Sequence, residues 1–304
     1  MRIILTGASG FVGCNIAKVM TDHHGDDVFA ERVDMTNRTE IESHIDEHEP
    51  DAIVHCAILN DWDLMYSDRH LAWDSYVGAT RNYMVAAEER EIPCVLVSTD
   101  FVFDGTRGNY LETDVPNPVN FYGFLKAASE VVALEHNGIV ARVSGVNGQH
   151  WARPTTPRAQ DPGFGYFVAS LVDALEAGNT FTVWEGPELN SRASPSLASM
   201  CGEVIRTAAA TEGTAGSIFH CCGSEAVTRR QLAEAACKVF SLDPGLLRFG
   251  PAPASELEGK RFPHDSSLSA VATSERLGTP LPTVEELLKG FLHERLTGQL
   301  ADLR

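Results

Sequence analysis

The sequence predicts an α/β protein built on a doubly wound parallel sheet, with a smaller C-terminal α/β lobe. Short apolar runs alternate with amphipathic stretches through the first half of the 304 residues, which is the pattern of βα units joined by right-handed crossovers. After about Val146 this alternation ends in a segment rich in glycine, proline and arginine, which is typical of an irregular loop. We therefore expect a first domain at residues 1–146 and a substrate lobe at residues 147–304, with some later helices returning to the main sheet.

The predicted elements follow the chain in this order. The first half should hold strands at residues 2–6, 27–30, 52–57, 94–98 and 139–143, and helices at residues 10–22, 38–47, 70–90 and 118–136. The second half should hold helices at residues 167–177, 196–210, 229–240 and 283–296, and strands at residues 181–184 and 217–222 in the smaller lobe. The strand ends that carry Gly7, Ala57 and Thr99 should converge on the carboxyl edge of the sheet, where such sheets bind ligands.

A glycine-rich turn, TGASGFVG at residues 6–13, connects the first predicted strand to the first predicted helix. Such a turn places free N–H groups and the positive helix end at one point, where a pyrophosphate binds. The glycines are three apart each time, whereas the common dinucleotide fingerprint has a two-then-three spacing. The alternative is a plain turn. The context favours a Rossmann-like dinucleotide site whose contacts are Gly7, Ser9, Gly10, Phe11 and Val12.

A second motif, YGFLK, places Tyr122 and Lys126 four residues apart and therefore on one face of a helix. A lysine ammonium near a phenol favours the phenolate, so we expect a lowered pKa for Tyr122 and a role in general acid–base catalysis. The alternative is an ordinary surface pair. Thr99, in the Ser-Thr-Asp sequence that ends the fourth predicted strand, would supply a hydrogen bond to the same substrate oxygen.

Further motifs extend over nearly the whole chain. They are residues 6–13, 34–36, 98–105, 122–126 with Glu130, 142–144, 261–269, 277–278 and 282–288. Together they resemble the extended short-chain dehydrogenases/reductases, and among them the dTDP-4-dehydrorhamnose reductase branch. The resemblance implies an NAD(P)H-dependent reductase of a keto group, with a 4-keto-6-deoxy nucleotide sugar as the substrate. It implies catalytic roles for Thr99, Tyr122 and Lys126.

The resemblance also places the adenine near Asp34 and Met35, and the cofactor beside Ala57. Further expected cofactor contacts are Cys56, Ile58, Ser98, Tyr122, Lys126 and Val143. Glu31 and Arg32 follow the second predicted strand. A carboxylate there would accept the ribose hydroxyls of NAD, and an arginine would meet the phosphate of NADP. Both are present, so the choice between NADP and NAD stays open.

The chain departs from the family pattern where the substrate would lie. Phe101 replaces the usual tyrosine, and the segments at residues 55–62 and 189–196 are rewritten. The loop at residues 147–165 either orders over the substrate or is a surface insertion. The expected substrate contacts are Asn60, Phe101, Trp151, Arg153 and Arg192, with Arg158 and Arg261 as further candidates.

Composition excludes several other classes. The formal net charge of −18 argues against nucleic-acid binding, and 43% hydrophobic residues argue against disorder. No apolar run reaches membrane-spanning length, and the N-terminus reads as a strand, not a signal peptide. The seven cysteines are expected to be reduced thiols in the cytoplasm. No metal site is expected from the histidine spacing.

The expected partner is a small-molecule substrate, with a homodimer as an option. Two rival functions stay open. One is a nucleotide-sugar epimerase or dehydratase of the same superfamily, and the other is a non-catalytic NAD(P)-binding regulatory subunit.

Overall fold

The computed structural model describes residues 1–153 and 160–303, and its centre is a parallel sheet of six strands. The described strands are β1 (Arg2–Thr6), β2 (Asp27–Phe29), β3 (Ala52–His55), β4 (Cys94–Thr99), β5 (Ile139–Val143), β6 (Val146–Asn147), β7 (Phe181–Trp184), β8 (Arg192–Ala193), β9 (Ser196–Leu197), β10 (Ile218–Cys221), β11 (Val227–Thr228) and β12 (Leu247–Gly250). The order in the main sheet is β2-β1-β3-β4-β5-β10, with all neighbours parallel. The predicted fold class is therefore confirmed.

Helices flank this sheet and build the smaller lobe. They are α1 (Phe11–Asp22), α2 (Arg38–His48), α3 (Trp62–Ser67), α4 (Arg69–Trp73), α5 (Ala79–Glu88), α6 (Phe121–Glu135), α7 (Phe167–Glu176), α8 (Ala198–Ala210), α9 (Arg229–Phe240), α10 (Ala254–Leu257), α11 (Val271–Leu277) and α12 (Val284–Thr297). A π-helical turn, Asp74–Gly78, joins α4 to α5. No helix among these described residues combines the length and the apolar character that a membrane span requires.

Alternating apolar residues bury the two faces of the sheet under different helices. Ile3 and Leu5 face a core shared with α1 and α8, whereas Ile4 faces a core shared with α2, α5 and α6. Strands buried on both faces by helices are the signature of a doubly wound sheet. The strand order reverses between β1 and β3, and this switch point is where open α/β sheets bind ligands.

The second half of the chain completes the main sheet. The sequence did not predict this arrangement in full. The strand expected in the smaller lobe at residues 217–222 is β10, and it pairs with β5 at the edge of the main sheet. Helix α8 returns to pack on α1, so closely that a Cβ on Gly202 would lie 3.1 Å from the side chain of Val19. Of the two helices expected to return, at residues 196–210 and 229–240, only α8 packs on the main sheet, whereas α9 packs in the smaller lobe. The assignment of β10 to the lobe was wrong.

The predicted elements of the first half are confirmed within a few residues. The helix expected at residues 70–90 is divided by the π-helical turn, and α3, α10, α11 and β12 were not predicted. The smaller lobe has its own core, formed by α7, α9, α12 and the β7–β12 pair. The division at residues 146 and 147 stays a prediction.

Candidate active site

The glycine turn after β1 is packed so tightly that two of its glycines are required by the protein itself. Gly7 has a φ of +74°, and a Cβ there would lie 2.7 Å from the amide nitrogen of Ala57. A Cβ on Gly13 would lie 2.1 Å from the carbonyl oxygen of Gly7. Gly10 is different, because it is exposed and its Cβ would meet only that same oxygen, at 3.3 Å. The space beyond Gly10 is therefore open to a ligand.

Helix α1 begins at this turn with unsatisfied backbone donors. Its N-cap is Gly10, no side chain caps it, and no acidic residue lies in its first turn. An uncapped helix N-terminus favours an anionic group. Ser9 is exposed, and Phe11 and Val12 are partly buried beside it. Their role in binding the pyrophosphate of a dinucleotide stays a prediction.

The hydroxyl of Thr6 fixes the switch point between β1 and β3. It accepts hydrogen bonds from the amides of Cys56 and Ala57, at 3.1 and 3.0 Å. It also lies 2.9 Å from Nδ1 of His55, whose pKa burial lowers to about 3. The neutral His55 ring can accept the threonine proton, so all three bonds form together. The sequence had named Cys56 and Ala57 but gave Thr6 no role.

The three expected catalytic residues come together at the carboxyl edge. Thr99 ends β4, and Tyr122 and Lys126 lie one turn apart on α6. Gly123 allows the close approach, because a Cβ there would lie 2.1 Å from the carbonyl oxygen of Phe101. The side chain of Asn120 caps α6 by accepting a hydrogen bond from the Gly123 amide at 2.8 Å. Sequence reasoning gave neither Gly123 nor Asn120 a role.

Burial sets the protonation of this group. It raises the pKa of Tyr122 above its usual value, an effect that the neighbouring Thr99 hydroxyl partly opposes. Lys126 donates a hydrogen bond to the carbonyl oxygen of Val97 at 2.7 Å, and burial lowers its pKa to about 8. The expected lowering of the Tyr122 pKa by Lys126 is therefore wrong for this structure, because burial dominates. The phenol keeps its proton at neutral pH.

A buried carboxylate holds Thr99 in place. Asp100 accepts hydrogen bonds from Thr99 at 3.1 Å, from Ser144 at the end of β5 at 3.0 Å, and from Ser266 at 2.5 Å. Burial raises the pKa of Asp100 to about 6, and the three hydroxyls oppose this rise. Ser266 lies in the segment at residues 261–269, before α11. Asp100 therefore connects this segment to the end of β4.

A second buried network involves Ser98, which was predicted to contact the cofactor. Its hydroxyl donates to Glu130 at 2.5 Å, and Glu130 accepts two hydrogen bonds from Arg142, at 2.9 and 2.7 Å. All three side chains are buried. The Ser98 side chain therefore holds α6 against β4, while Arg142 holds it against β5, and only the main chain of Ser98 is left for a ligand. Val143, also predicted, pairs with Thr99 in register.

The expected adenosine contacts follow β2 and are solvent-facing. Glu31, Arg32 and Asp34 are exposed, and Met35 is partly buried. Asp34 accepts hydrogen bonds from the amide and hydroxyl of Thr36, at 2.9 and 2.7 Å, so its side chain is held in a turn. Ile58, expected beside the cofactor, lies partly buried after β3.

An aromatic cluster surrounds Tyr122, and most of it was not foreseen. Ring centroids lie 5.7 Å away for Trp62, 6.1 Å for Tyr76 and 6.2 Å for Phe101. Phe262 completes the cluster at 6.2 Å from both Trp62 and Phe101. Of these residues the sequence had singled out only Phe101. Trp62 lies in a segment that departs from the family pattern, and Tyr76 and Phe262 were given no role.

The remaining predicted substrate contacts are more scattered. Asn60 is exposed next to the aromatic cluster, and Arg153 is exposed after the loop begins. Arg192 is half-exposed, with its Nε 3.8 Å from Asp265. Arg158 lies outside the described residues. The loop returns at Gly163, where a Cβ would lie 3.3 Å from the ring of Phe101, so its far end does reach the aromatic cluster.

Trp151 is placed against α1. Its indole N–H donates to Asn15 at 2.9 Å, and the Lys18 ammonium lies 4.7 Å from its ring. We expect Trp151→Ala to lower the free energy of unfolding by roughly 1–3 kcal/mol, because a hydrogen bond and a cation–π contact are lost. Thermal unfolding followed by circular dichroism measures this. Arg153→Ala, on an exposed side chain, should leave stability unchanged. A raised substrate KM with an unchanged melting temperature in Trp151→Ala would instead make Trp151 a substrate contact.

The fold and the site define an oxidoreductase of the extended short-chain dehydrogenase/reductase class, with a glycine turn at the switch point and a Thr–Tyr–Lys group at the carboxyl edge. The chain belongs to the family described as RmlD substrate binding domain, whose model matches residues 1–297. The resemblance predicted from the sequence is thereby confirmed.

Individual relatives cover almost the whole chain. The probable low-salt glycan biosynthesis reductase of Haloferax volcanii is 28% identical over 94% of this chain and 95% of its own length. The methionine adenosyltransferase 2 subunit beta of Mus musculus is 25% identical over 97% of this chain and 89% of its own. The solved dTDP-4-dehydrorhamnose reductase of Bacillus anthracis, in complex with NADP, has 22% identity and a TM-score of 0.79, covering 96% of this chain and 99% of that one. That last similarity shows the shared fold.

Proposed function

We propose that this protein reduces the keto group of a 4-keto-6-deoxy nucleotide sugar with NADPH or NADH. The observation that carries the proposal is the meeting of Thr99, Tyr122 and Lys126 beside the open N-terminus of α1. The N-terminus of α1 binds a dinucleotide, and the three side chains move a proton, as ketone reduction requires. A relative, the dTDP-4-keto-6-deoxy-D-glucose reductase of Streptomyces niveus, supports the substrate class.

The residues divide the work as follows. The backbone from Gly7 to Val12 binds the pyrophosphate, and the bound dihydronicotinamide supplies the hydride. Tyr122 donates its proton to the substrate oxygen, and the Thr99 hydroxyl turns from Asp100 to donate its single proton to the same oxygen. Lys126, one helical turn after Tyr122, supplies a positive charge for the Tyr122 phenol.

The protonation found in the structure suits the direction of reduction. A general acid must carry its proton before the reaction, and burial raises the pKa of Tyr122 so that it does. Lys126, with a pKa of about 8, is mostly charged at neutral pH and stabilises the phenolate that forms as the proton leaves. The rate of proton transfer from Tyr122 should therefore fall as pH rises above about 8.

Absorbance at the dihydronicotinamide band tests the proposal directly. The purified protein is mixed with NADPH or NADH and with dTDP- and UDP-linked 4-keto-6-deoxy sugars made in situ. We expect one cofactor oxidised for each keto sugar reduced. An epimerase or dehydratase would convert a nucleotide sugar without net oxidation of added cofactor, which would contradict a reductase.

A regulatory subunit is the second candidate, and the similarity to methionine adenosyltransferase 2 subunit beta favours it. The intact Thr99, Tyr122 and Lys126 support catalysis instead. Cofactor binding with no turnover on any keto sugar, together with a change in the activity of a partner enzyme, would establish the regulatory role.

Cofactor preference should respond in opposite directions to changes at the two residues after β2. We expect Arg32→Ala to reduce kcat/KM for NADPH more, and Glu31→Ala to reduce it for NADH more, each by roughly tenfold. Steady-state kinetics with both cofactors measure the ratio. Glu49→Ala, on a side chain that is 82% exposed, is the charge control and should leave the ratio unchanged. A ratio that neither change moves would remove both residues from the adenosine ribose.

We also propose that the protein acts in the cytoplasm and forms a homodimer. All seven cysteines are free thiols, which supports a reducing compartment. Trp73 and Phe124 are 44% and 49% exposed and lie close together on α4 and α6, which supports an interface there. Light scattering of the purified protein measures the mass, and a monomer would contradict the homodimer.

A further inference from the structure

Three potential metal ligands meet where the segment after β2 contacts α2. His44 and His48 are four residues apart on α2, so their rings lie on one helix face. Nε2 of His44 lies 3.8 Å from Oε2 of Glu31, and Nε2 of His48 lies 4.0 Å from the same oxygen. One ligand atom from each residue lies within 4.8 Å of the other two. Two imidazole nitrogens and one carboxylate oxygen thus surround a common point.

These separations suit a shared metal ion better than hydrogen bonds. At 3.8 and 4.0 Å the nitrogens are too far from the carboxylate to hydrogen-bond. Zinc holds nitrogen and oxygen ligands at about 2.0–2.2 Å, which places neighbouring ligand atoms of a tetrahedron about 3.4 Å apart. The two nitrogen–carboxylate separations exceed this by roughly 0.5 Å, and the widest separation in the set, up to 4.8 Å, exceeds it by roughly 1.4 Å, so side-chain rotation has to close the set.

The two rings are already oriented by their surroundings. The His44 side chain is only 10% exposed, and its ring makes no hydrogen bond in the described part of the chain. His48 stacks on Phe29 with centroids 4.1 Å apart, and His44 meets His48 edge-on at 4.6 Å. Little rotamer freedom remains to be lost on binding.

We propose that His44, His48 and Glu31 bind one divalent transition-metal ion of the zinc class, with water in the remaining position. Two imidazoles and one carboxylate are a ligand set typical of zinc. Glu47, one residue before His48 on α2, adds a negative charge that favours a cation nearby. The ion would tie the segment after β2 to α2.

This site is separate from the catalytic residues and does not rest on the proposed reductase function, although Glu31 is also an expected contact of the cofactor ribose. It lies at the β2 edge of the sheet, with β1 and β3 between it and β4. The sequence analysis did not single out this site: residues 44–48 have the H-x-x-E-H arrangement of one zinc-binding motif, but Glu31 belongs to a different element.

Metal titration of the tag-free protein, stripped with a chelator, tests the proposal. Calorimetry with Zn²⁺ should give one equivalent per chain, and Co²⁺ should give the intense visible absorption of a tetrahedral site. Glu31→Gln and His48→Ala should each weaken Zn²⁺ binding by about tenfold or more and abolish that absorption. Glu31 is 58% exposed on its side chain, so Glu31→Gln should leave the circular dichroism spectrum unchanged.

The chain offers a matched control in His23 and His24. They bond to separate oxygens of Glu203, at 2.5 and 2.7 Å, and so already have partners. The double variant His23→Ala with His24→Ala should bind Zn²⁺ like the unchanged protein. Absence of Zn²⁺ binding would overturn the proposal. Binding that survives both Glu31→Gln and His48→Ala, or that is lost in the control, would overturn it too.

Discussion

Tyr122→Phe should fold, bind cofactor and lose most turnover, with kcat reduced about 10²–10⁴-fold. The change removes the hydroxyl that donates the proton, while the ring keeps its contacts with Trp62, Tyr76 and Phe101. Rates of dihydronicotinamide oxidation with a keto sugar measure the effect. Fluorescence titration with NADPH measures cofactor binding separately.

A matched aromatic variant shows whether the loss is specific to the hydroxyl. Tyr76 belongs to the same cluster, and its hydroxyl donates to the carbonyl oxygen of Leu59 at 3.0 Å. Tyr76→Phe should cost some stability and little activity. Near-normal kcat in Tyr122→Phe, or an equal loss in Tyr76→Phe, would show that the proton comes from elsewhere.

Gly10→Val should abolish measurable cofactor binding in a folded protein. The backbone at Gly10 has a φ of −81°, which any residue can adopt, and a Cβ there meets only one atom, at 3.3 Å. A branched side chain would fill the space that the pyrophosphate needs. We expect the dissociation constant for NADPH to rise at least about a hundredfold, or about 2.8 kcal/mol.

The two neighbouring glycines provide the contrast. Gly7→Ala and Gly13→Ala would force a Cβ to within 2.7 and 2.1 Å of backbone atoms, so these variants should unfold at lower temperature. Gly10→Val should keep the melting temperature of the apoprotein. Unchanged NADPH binding in folded Gly10→Val would place the cofactor away from this turn.

Local sequence patterns predicted the sheet and the placement of Tyr122 and Lys126 on one helix face, because both depend on short-range signals. Apolar runs and a glycine turn define β1 and α1, and the four-residue spacing of Tyr122 and Lys126 requires only a helix. The family resemblance reinforced the same residues. The expected roles of the individual site residues stay predictions until they are measured.

Features that depend on long-range contacts were not visible in the sequence. Asp100 accepts hydrogen bonds from the hydroxyls of Ser144 and Ser266, which lie far along the chain. No rule of sequence spacing connects these residues with Asp100. The lowered pKa expected for Tyr122 failed for a related reason, because helical spacing shows which groups are neighbours and does not show how deeply they are buried. Trp151 was assigned to substrate from its residue type, whereas its nearest partners are on α1.

The position of α8 and β10 late in the chain has a consequence for folding during translation. The first five strands leave the ribosome well before Ile205 of α8, which covers one face of their sheet, and Phe219 of β10, which covers one edge. Until Cys221 has been made, that sheet presents an open apolar face and an unpaired edge, both of which favour aggregation. A fragment ending at residue 146 would retain this exposed surface permanently. The nascent chain therefore depends on protection during translation, and attempts to split the protein should avoid separating β5 from β10.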